Sequence, residues 1–213
     1  HLPSQLALTG LFSENGRKGL DGKYGHLLEE IPPGLNYSFF TEKMGHPNPI
    51  FAWRSKFSDF LYKADPEKPV RTIKAQGGQY TGPFHWENRT FNIDELKRLQ
   101  TFPDNYKILG GRGRAIHQIG NSVPPQFARM LALSILDQIF EIALPIDIEY
   151  LAPNEKLSFR KHKRELSDHY KLKAGLAIQA QKTVKRVSKI SRCILSFDVS
   201  KSFEVTIHSA GKY

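Results

Sequence analysis

The chain contains very little cysteine and no long apolar run, and each scarcity excludes a class of protein. One cysteine, Cys193, among 213 residues rules out an internal disulfide framework and leaves no Cys-x-x-Cys pair for a metal cluster. No stretch approaches the roughly 18 apolar residues that a membrane-spanning helix needs. The first residues show no basic segment followed by an apolar core, so no secretory signal is expected. We therefore expect a cytoplasmic protein with no membrane partner and no metal site.

Acidic residues are scarce relative to basic ones. The chain carries 31 Lys and Arg against 21 Asp and Glu, a formal net charge of +10 and an isoelectric point of about 9.6. Nearly all of the excess lies in the last third, where residues 154–192 hold twelve basic residues and three acidic ones. A solvated helix face is the common explanation of such a run. The one-sided sign nevertheless favours contact with a polyanion such as nucleic acid.

Residues 1–68 are rich in Gly, Pro, Asn and aromatic residues and show little helical period. This composition is typical of turns and irregular loops. A short helix is expected between Lys23 and Ile31, and a strand between Arg71 and Ala75. We treat residues 1–75, 76–149 and 150–213 as three successive segments of the chain.

The middle segment begins with a clear helix signal. Asn92 and Glu95 have the spacing of a capping box, in which each side chain bonds to the backbone N–H of the other residue. The helix that they open should run to about Gln100 and stop before Pro103. The sequence Gly-Gly-Arg-Gly at 110–113 predicts a flexible turn.

The most informative stretch runs from Gln118 to Pro125 and leads into an apolar helix. A tight turn of Gly120, Asn121 and Ser122 delivers the backbone to two prolines, which a first helical turn tolerates. The helix should continue to about Leu144, and its apolar residues occupy more than one stripe, which predicts burial on several sides. They are Phe127, Met130, Leu131, Leu133, Ile135, Leu136, Ile139, Phe140 and Ile142. Small polar groups at the start of a buried helix are well placed to hold a polar ligand.

The last segment, residues 150–213, predicts a basic helix and two short strands. Asn154 is a credible N-cap for a helix that runs to about Val187. Its apolar face is patchy, with Leu157, Leu166, Tyr170, Leu172, Leu176 and Ile178. Residues 193–197 and 203–207 read as strands, which form a terminal hairpin if they pair.

Three stretches resemble conserved blocks of the DNA (cytosine-5) methyltransferases. Gln118 to Val123 is similar to the last block of that family, Gln-x-Gly-Asn-Ser-Val followed by a helix. Residues 91–104, with Glu, Arg-Leu-Gln and then Phe-Pro, resemble the preceding block. Residues 69–75 resemble the segment that returns from the target-recognition region. The three occur in the right order and spacing, so the match is much stronger than any one motif.

The resemblance covers the late blocks and leaves out the family's catalytic ones. Its chemistry needs a cysteine thiolate, usually after a proline, that attacks C6 of cytosine, and a Glu in a Glu-Asn-Val block. Cys193 follows Arg192 and lies beyond the last block, and its simpler interpretation is a small hydrophobic residue. The pair Glu87-Asn88 is followed by Arg89. No catalytic residue is therefore assigned, and the chain, which begins with His1, is expected to be the carboxyl-terminal portion of such an enzyme.

The resemblance implies roles for the turn and for the capped helix. Gly120, Asn121 and Ser122 would line the pocket for S-adenosylmethionine, but only when a catalytic half is present; the alternative is a turn that merely caps a helix. Arg98 and Gln100 would support the recognition region. The planar fork of Arg98 would hold carbonyl groups or a carboxylate in place.

A basic, hydroxyl-rich set of residues is the candidate DNA-binding surface. Arg suits bidentate contact with guanine in the major groove, while Lys and Ser suit phosphates. Glycine-flanked arginines in a turn also often meet phosphates. A solvated loop is the alternative interpretation in both places. The candidates are Arg54, Ser55, Lys56, Lys63, Arg71, Arg112 and Arg114.

The resemblance implies an α+β fold, with an irregular mixed recognition region and small sheet, a long buried helix, a basic C-terminal helix and a possible terminal hairpin. The first hypothesis for function is the recognition part of a methyltransferase that flips a cytosine out of duplex DNA. Its partners would be double-stranded DNA and a catalytic half or subunit, and its location cytoplasmic and nucleoid-associated. The second hypothesis is a stand-alone, non-enzymatic DNA-binding module, and a third is a degenerate remnant with no present role. In the first case the helix from Pro125 should expose a large apolar patch when the chain is alone; in the second it should be buried against the C-terminal region.

Overall fold

The computed structural model describes residues 2–11, 19–54, 56–152, 154–155 and 168–190 of the chain. In these residues it contains six α-helices, two 3-10 helices and one two-stranded antiparallel sheet. The α-helices are α1 (Ser4–Ala7), α2 (Leu27–Glu30), α3 (Ile93–Leu99), α4 (Arg112–Asn121), α5 (Pro125–Gln138) and α6 (Asp168–Ile190). The 3-10 helices are Tyr37–Phe40 and Glu42–Met44, and the strands are β1 (Phe84–His85) and β2 (Arg89–Thr90). Phe84 pairs with Thr90, and His85 with Arg89.

The larger hydrophobic core, which we call the aromatic core, is built mainly from residues 27–61. Aromatic rings dominate it and meet edge to face, the arrangement that their quadrupoles favour. Tyr24 lies at the hub, with ring centroids 5.2 Å from Phe51, 5.9 Å from Phe60 and 5.6 Å from Tyr80. The buried members are Leu27, Ile31, Leu35, Tyr37, Phe39, Phe40, Met44 and Leu61, with Ala174 and Ile178 from α6.

The smaller core, which we call the helical core, joins α3 and α4 to the loop that precedes them. Its buried residues are Ala64, Ile73, Phe91, Leu96 and Ile119. Ile119 comes from α4 and Leu96 from α3, so the two helices pack through this cluster. The helical core lies directly beneath the turn that leads into α5.

The capping box predicted at the start of α3 is confirmed. The Asn92 side chain accepts a hydrogen bond from the Glu95 backbone at 2.8 Å, and the Glu95 carboxylate accepts one from the Asn92 backbone at 2.8 Å. Helix α3 ends at Leu99, as the sequence predicted, and Gln100 is its C-cap. The short helix expected within residues 23–31 is present as the single turn α2.

Two predictions about local structure are wrong. Residues 71–75 belong to no strand, because no segment among the described residues supplies the hydrogen-bonded partner that a strand requires. The flexible turn predicted at 110–113 is instead the start of α4, with Gly111 as its N-cap. Buried Ala115 and Ile119, four residues apart on one helix face, hold this glycine-containing segment helical through packing.

Helix α5 begins as predicted, with Pro125 in its first turn, but it ends at Gln138 rather than near Leu144. The turn before α5 also lies later in the chain than predicted. Gly120 and Asn121 are the last residues of α4, and the helix ends at its C-cap, Ser122. The expected burial of α5 is wrong for this chain, since none of its residues is buried. The hypothesis that α5 exposes a large apolar patch is confirmed by the exposed side chains of Phe127, Met130, Leu131 and Ile135.

Helix α6 packs against the aromatic core. Ala174 and Ile178 are buried there, and Tyr170 and Ala177 pack around them. The part of the predicted basic helix at 156–167 and the predicted strands at 193–197 and 203–207 lie outside the described residues. No described helix combines the length and the hydropathy that a bilayer crossing requires.

Candidate functional site

The junction of α4 and α5 is held from below by the C-cap of α3. The Gln100 side-chain amide donates to the Ser122 carbonyl oxygen at 2.9 Å and lies 3.5 Å from the Ser122 hydroxyl. The same hydroxyl donates to the Ile119 carbonyl at 2.7 Å, which closes the last turn of α4. Because Ser122 and Gln100 are half-buried and mutually bonded, the position at which α5 starts is fixed by α3.

Gly120 is required by close backbone contact. A Cβ atom at this position would collide with the backbone of Ala75 and would lie within 2.6 Å of the Lys74 carbonyl carbon. Gly120 therefore lets α4 lie directly on the segment at 74–75. Within this chain Gly120 faces backbone, so any contribution to a ligand site comes from its neighbours Asn121 and Ser122.

Asn121 is the exposed polar residue of the turn. Its side-chain nitrogen lies 3.2 Å from Nε2 and 3.3 Å from Nδ1 of His117, one helical turn earlier. No group in this turn is a nucleophile activated by a base, and no group of acidic, histidine or cysteine side chains in the described part of the chain could hold a metal ion. Asn121 is therefore the side chain of this turn that points polar atoms to solvent, with His117 as its neighbour.

Arg98 is fixed by contacts on two sides. Its guanidinium donates to both carboxylate oxygens of Asp104, at 2.9 and 2.6 Å, and to the Thr9 carbonyl at 2.6 Å. Hydrogen bonds from Arg98 hold the pKa of Asp104 below its usual value. The planar guanidinium thereby ties α3 to the loop after Phe102 and to the segment that follows α1.

A buried ionic cluster lies beside the sheet. Arg89 donates to both oxygens of Glu95, at 2.7 and 2.9 Å. Although burial opposes it, hydrogen bonds from Arg89 and from the Asn92 backbone hold the pKa of Glu95 below its usual value. Burial, and then the charge of Arg89, lower the pKa of His85 to about 4, and its Nδ1 accepts from the Glu87 backbone at 3.1 Å. His85 is therefore neutral at physiological pH, and the cluster is a structural support for α3.

Three of the candidate DNA-binding residues lie in, or contact, residues 54–62 of the chain. The backbone of Arg54 exchanges two hydrogen bonds with the Tyr37 hydroxyl, at 2.7 and 2.8 Å, so its side chain projects from a fixed point. Arg71 packs over the Tyr62 ring at 4.0 Å and donates to the Ser58 carbonyl at 3.3 Å. Lys56 is exposed between them in sequence. Ser55 lies outside the described residues.

Lys63 does not join this surface. Its side chain is buried, and its ammonium donates to the Asn88 side-chain oxygen at 2.6 Å. Burial lowers its pKa to about 8. In this position Lys63 ties the chain after the aromatic core to the loop between β1 and β2, and no phosphate reaches it.

Arg112 and Arg114 are exposed at the start of α4, away from the aromatic core. Arg112 donates to the Phe91 carbonyl at 2.7 Å, which fixes it to the segment before α3. Its remaining donors and the Arg114 side chain are available to solvent. The structure therefore separates the seven candidates into a pair on α4, a group of three in or against residues 54–62, one buried lysine and one residue outside the described part.

Some supporting residues were missed by reasoning from the sequence. The pairs Arg98–Asp104 and Arg89–Glu95 are six residues apart. That spacing matches no regular helix or strand neighbour, so only the path of the loops brings them together. The one available signal for α4 was the spacing of Ala115 and Ile119.

A family model matches the part of the chain that contains this turn and the helix before it. The family model described as C-5 cytosine-specific DNA methylase matches residues 12–137. The match covers more than half of the chain and includes α3, α4 and nearly all of α5. The chain belongs to the C-5 cytosine-specific DNA methylase family.

Several curated relatives are similar over the same part of the chain. The type II methyltransferase M.SacI of Streptomyces achromogenes is 39% identical over 130 residues, covering 56% of this chain and 33% of the relative. M.BbvI of Brevibacillus brevis is 30% identical over 140 residues, covering 65% and 36%. The DNA (cytosine-5-)-methyltransferase M.ApeKI of Aeropyrum pernix is 36% identical over 113 residues, covering 52% and 23%. The chain thus spans about a third of the length of these relatives or less. No solved structure matches it.

Proposed function

We propose that this chain supplies the target-recognition region and the last conserved blocks of a DNA cytosine-5 methyltransferase, together with one wall of its S-adenosylmethionine pocket. In this proposal the chain is the carboxyl-terminal portion of the enzyme and acts only when joined to the catalytic part. The observation that carries the proposal is helix α5. Nearly all of it lies within the family match, yet its apolar face is uncovered in the described chain.

The exposed apolar face of α5 supports the proposal that another part of the enzyme covers it. Phe127, Met130, Leu131 and Ile135 are spaced by three and four residues and so share one helix face, which we call the α5 face. Phe127 is 62% exposed and Leu131 54% exposed. Contiguous exposed apolar surface of this kind marks an interaction site in soluble proteins. A stand-alone regulator would bury this helix on its own C-terminal region; the part of that region that the structure describes, helix α6, packs on the aromatic core.

The residues present determine which parts of the reaction this chain would supply and which the catalytic part would supply. The single cysteine, Cys193, lies outside the matched residues 12–137. In this proposal the thiolate that attacks C6 of cytosine, and the strand and loop that bind most of S-adenosylmethionine, come from the catalytic part. Asn121 and Ser122 would face the cofactor there. Arg54, Lys56 and Arg71 would contact the duplex next to the flipped base.

A methyl-transfer assay tests the proposal. Labelled S-adenosylmethionine and mixed-sequence duplex DNA are incubated with the chain alone, and with a lysate of the source cells from which this chain has been depleted. We expect label in DNA only in the mixture, at C5 of cytosine. Transfer by the chain alone would contradict the absence of a catalytic residue. Its failure in the mixture would contradict the methyltransferase role.

A matched pair of variants tests the role of the α5 face. Leu131→Glu/Ile135→Glu places two charges on that face, whereas Leu172→Glu/Leu176→Glu places two on exposed positions of α6 at the same spacing. We expect the first variant to abolish transfer in the mixture and the second to retain it. Equal activity of the two variants would show that the α5 face does not bind the catalytic part.

The alternative is a non-enzymatic DNA-binding module, which the net charge of +10 favours. Both hypotheses expect Arg54→Ala/Lys56→Ala to weaken duplex binding. The slope of log K against log salt concentration should become shallower by about 1 to 2. Only the methyltransferase hypothesis expects the same double variant to reduce methyl transfer. An unchanged salt dependence would remove Arg54 and Lys56 from the DNA-binding surface under either hypothesis.

A further inference from the structure

Residues 51–54, which we call the Trp53 segment, are held to the aromatic core at both ends. The Phe51 ring packs against the core. At the other end, the Arg54 backbone N–H donates to the Tyr37 hydroxyl at 2.8 Å, and that hydroxyl donates back to the Arg54 carbonyl at 2.7 Å. Trp53 therefore lies between two fixed points of the chain.

The indole ring of Trp53 is itself exposed and is covered by a cation. Trp53 is 39% exposed, and the Lys43 ammonium lies over its ring, 3.9 Å from the centroid. Because the face of an indole ring is electronegative, it attracts the ammonium, and the contact orients the ring. The segment thus presents a flat apolar surface in a defined position. Covering such a surface is favourable, and its fixed position lowers the entropy that binding costs.

The nearby Phe57 repeats this arrangement of ring and cation. It is 47% exposed, and the Arg54 guanidinium lies over its ring, 5.7 Å from the centroid. Residues 43–58 contain three Lys or Arg and no Asp or Glu. The next carboxylate along the chain, that of Asp59, is paired with Lys74. This exposed stretch therefore combines apolar rings with positive charge.

The combination of ring and cation favours DNA over a protein as the partner. An apolar protein surface would cover the rings but would also remove water from the cations, which is costly unless each cation is paired. DNA suits both groups, because a base stacks on an aromatic ring while a phosphate pairs with the cation. With the exposed Glu42 included, residues 42–58 hold three basic residues and one acidic residue, so the charge remains complementary to DNA.

We propose that Trp53 stacks on a base of the bound DNA where the base stack is open, while Lys43 and Arg54 contact the flanking phosphates. Every base has an aromatic face, so this contact stabilises an opened duplex without reading its sequence. The opening is either the gap beside a flipped nucleotide or a base step that the ring itself separates. The inference rests on the proposed DNA-binding function and adds an apolar contact to its ionic ones.

Equilibrium binding of a labelled duplex to the full chain, measured by fluorescence anisotropy at several NaCl concentrations, tests the contact. Trp53→Ala should weaken binding about ten-fold at every salt concentration, because stacking on one base contributes an uncharged interaction of this size. The slope of log K against log salt concentration should stay unchanged, whereas Arg54→Ala/Lys56→Ala should make it shallower. Trp53→Phe should retain part of the affinity. The matched control Tyr106→Ala, which removes an exposed ring elsewhere, should retain all of it.

The fluorescence of the indole ring reports stacking directly. The chain has two tryptophans, and Trp86 packs against the helical core. In Trp86→Phe, the emission of Trp53 should be quenched when duplex is added, whereas the Trp86 emission of Trp53→Phe should not change. Stronger quenching by a duplex with one abasic site would place the ring in a gap, and equal quenching by an intact duplex would show that the ring separates a base step. Circular dichroism verifies that all variants fold.

Either an unchanged affinity of Trp53→Ala or an unquenched emission of Trp53 would overturn the inference. So would a Trp53→Ala variant that binds DNA normally but fails in the methyl-transfer mixture, because Trp53 would then contact the catalytic part. If the unmodified chain supports methyl transfer while the Trp53 results are negative, only this inference fails. If the unmodified chain neither supports transfer nor binds duplex DNA, the proposed function fails with it.

Discussion

The aromatic core and the α5 face are both built from large apolar side chains, yet the described chain covers only one of them. Phe39 of the aromatic core is 0% exposed, whereas Phe127 on α5 is 62% exposed. The aromatic core recruits Ala174 and Ile178 from more than a hundred residues away to close itself. Helix α5 follows in sequence and receives no such cover from the described residues. The aromatic core is therefore closed within the described chain, whereas the α5 face is left exposed.

The largest expected change in stability comes from truncating a phenylalanine in the aromatic core, compared with truncating one on the α5 face. Phe39→Ala leaves a cavity in a closed core and should lower the free energy of unfolding by about 3–5 kcal/mol. Phe127→Ala removes an exposed ring and should change it by no more than about 0.5 kcal/mol. Urea unfolding of both variants measures the difference. A large loss in Phe127→Ala would mean that α5 is covered in the isolated chain.

A smaller effect concerns the ionic cluster that supports α3. The folded-state pKa of His85 is about 4 against an ordinary 6.5, so the unfolded chain binds the additional proton first as the pH falls. Stability should decrease from about pH 6.5 toward pH 4, by at most about 3 kcal/mol. The lowered pKa of Glu95 adds a further loss as the pH falls through its folded-state value.

Urea unfolding across this pH range measures that decrease, and His85→Asn is the control, because the amide oxygen can still accept from the Glu87 backbone and does not titrate. The variant should be less sensitive to pH between 6.5 and 4. The same slope in both proteins would show that His85 is not the titrating group. The aromatic core contains no comparable buried ionic cluster among its described members, so the effect belongs to the helical core beneath α5.

The smallest expected change in stability comes from replacing either of two glycines of α4 by alanine. Gly120→Ala would force a Cβ atom into the Ala75 backbone and should lower stability by about 1–2 kcal/mol. Gly113→Ala meets nothing within 4 Å and should raise stability by about 0.5–1 kcal/mol, because alanine is the better helix former. Thermal unfolding measures both. Equal changes in the two variants would contradict the close contact between α4 and the 74–75 segment.

Sequence signals that depend only on neighbouring residues predicted the local structure correctly. The Asn92–Glu95 capping box and the proline start of α5 depend on neighbours within four residues, and both are present. Residues 71–75 failed as a strand because pairing requires a partner that the sequence does not specify. Helix α4 was missed because its two glycines disfavour a helix locally, and only packing of Ala115 and Ile119 overrides them.

The candidate site shows the same division. The motif around Gly120 led to the family, which the match over residues 12–137 establishes. The sequence could not separate Lys63 from Arg54, since both are basic residues in an aromatic-rich segment. Their different burial depends on where the loop between β1 and β2 falls, and Asn88 comes from that loop.

The sequence by itself determined the family, the net positive charge and the ends of α3, because motifs, composition and caps are properties of neighbouring residues. Only the tertiary structure decided that α6 packs on the aromatic core, that Arg98 binds Asp104 and Thr9, and that the described residues leave the α5 face uncovered. These contacts join segments up to about 150 residues apart. Their geometry arises from the packing of the whole chain, and no local pattern encodes it.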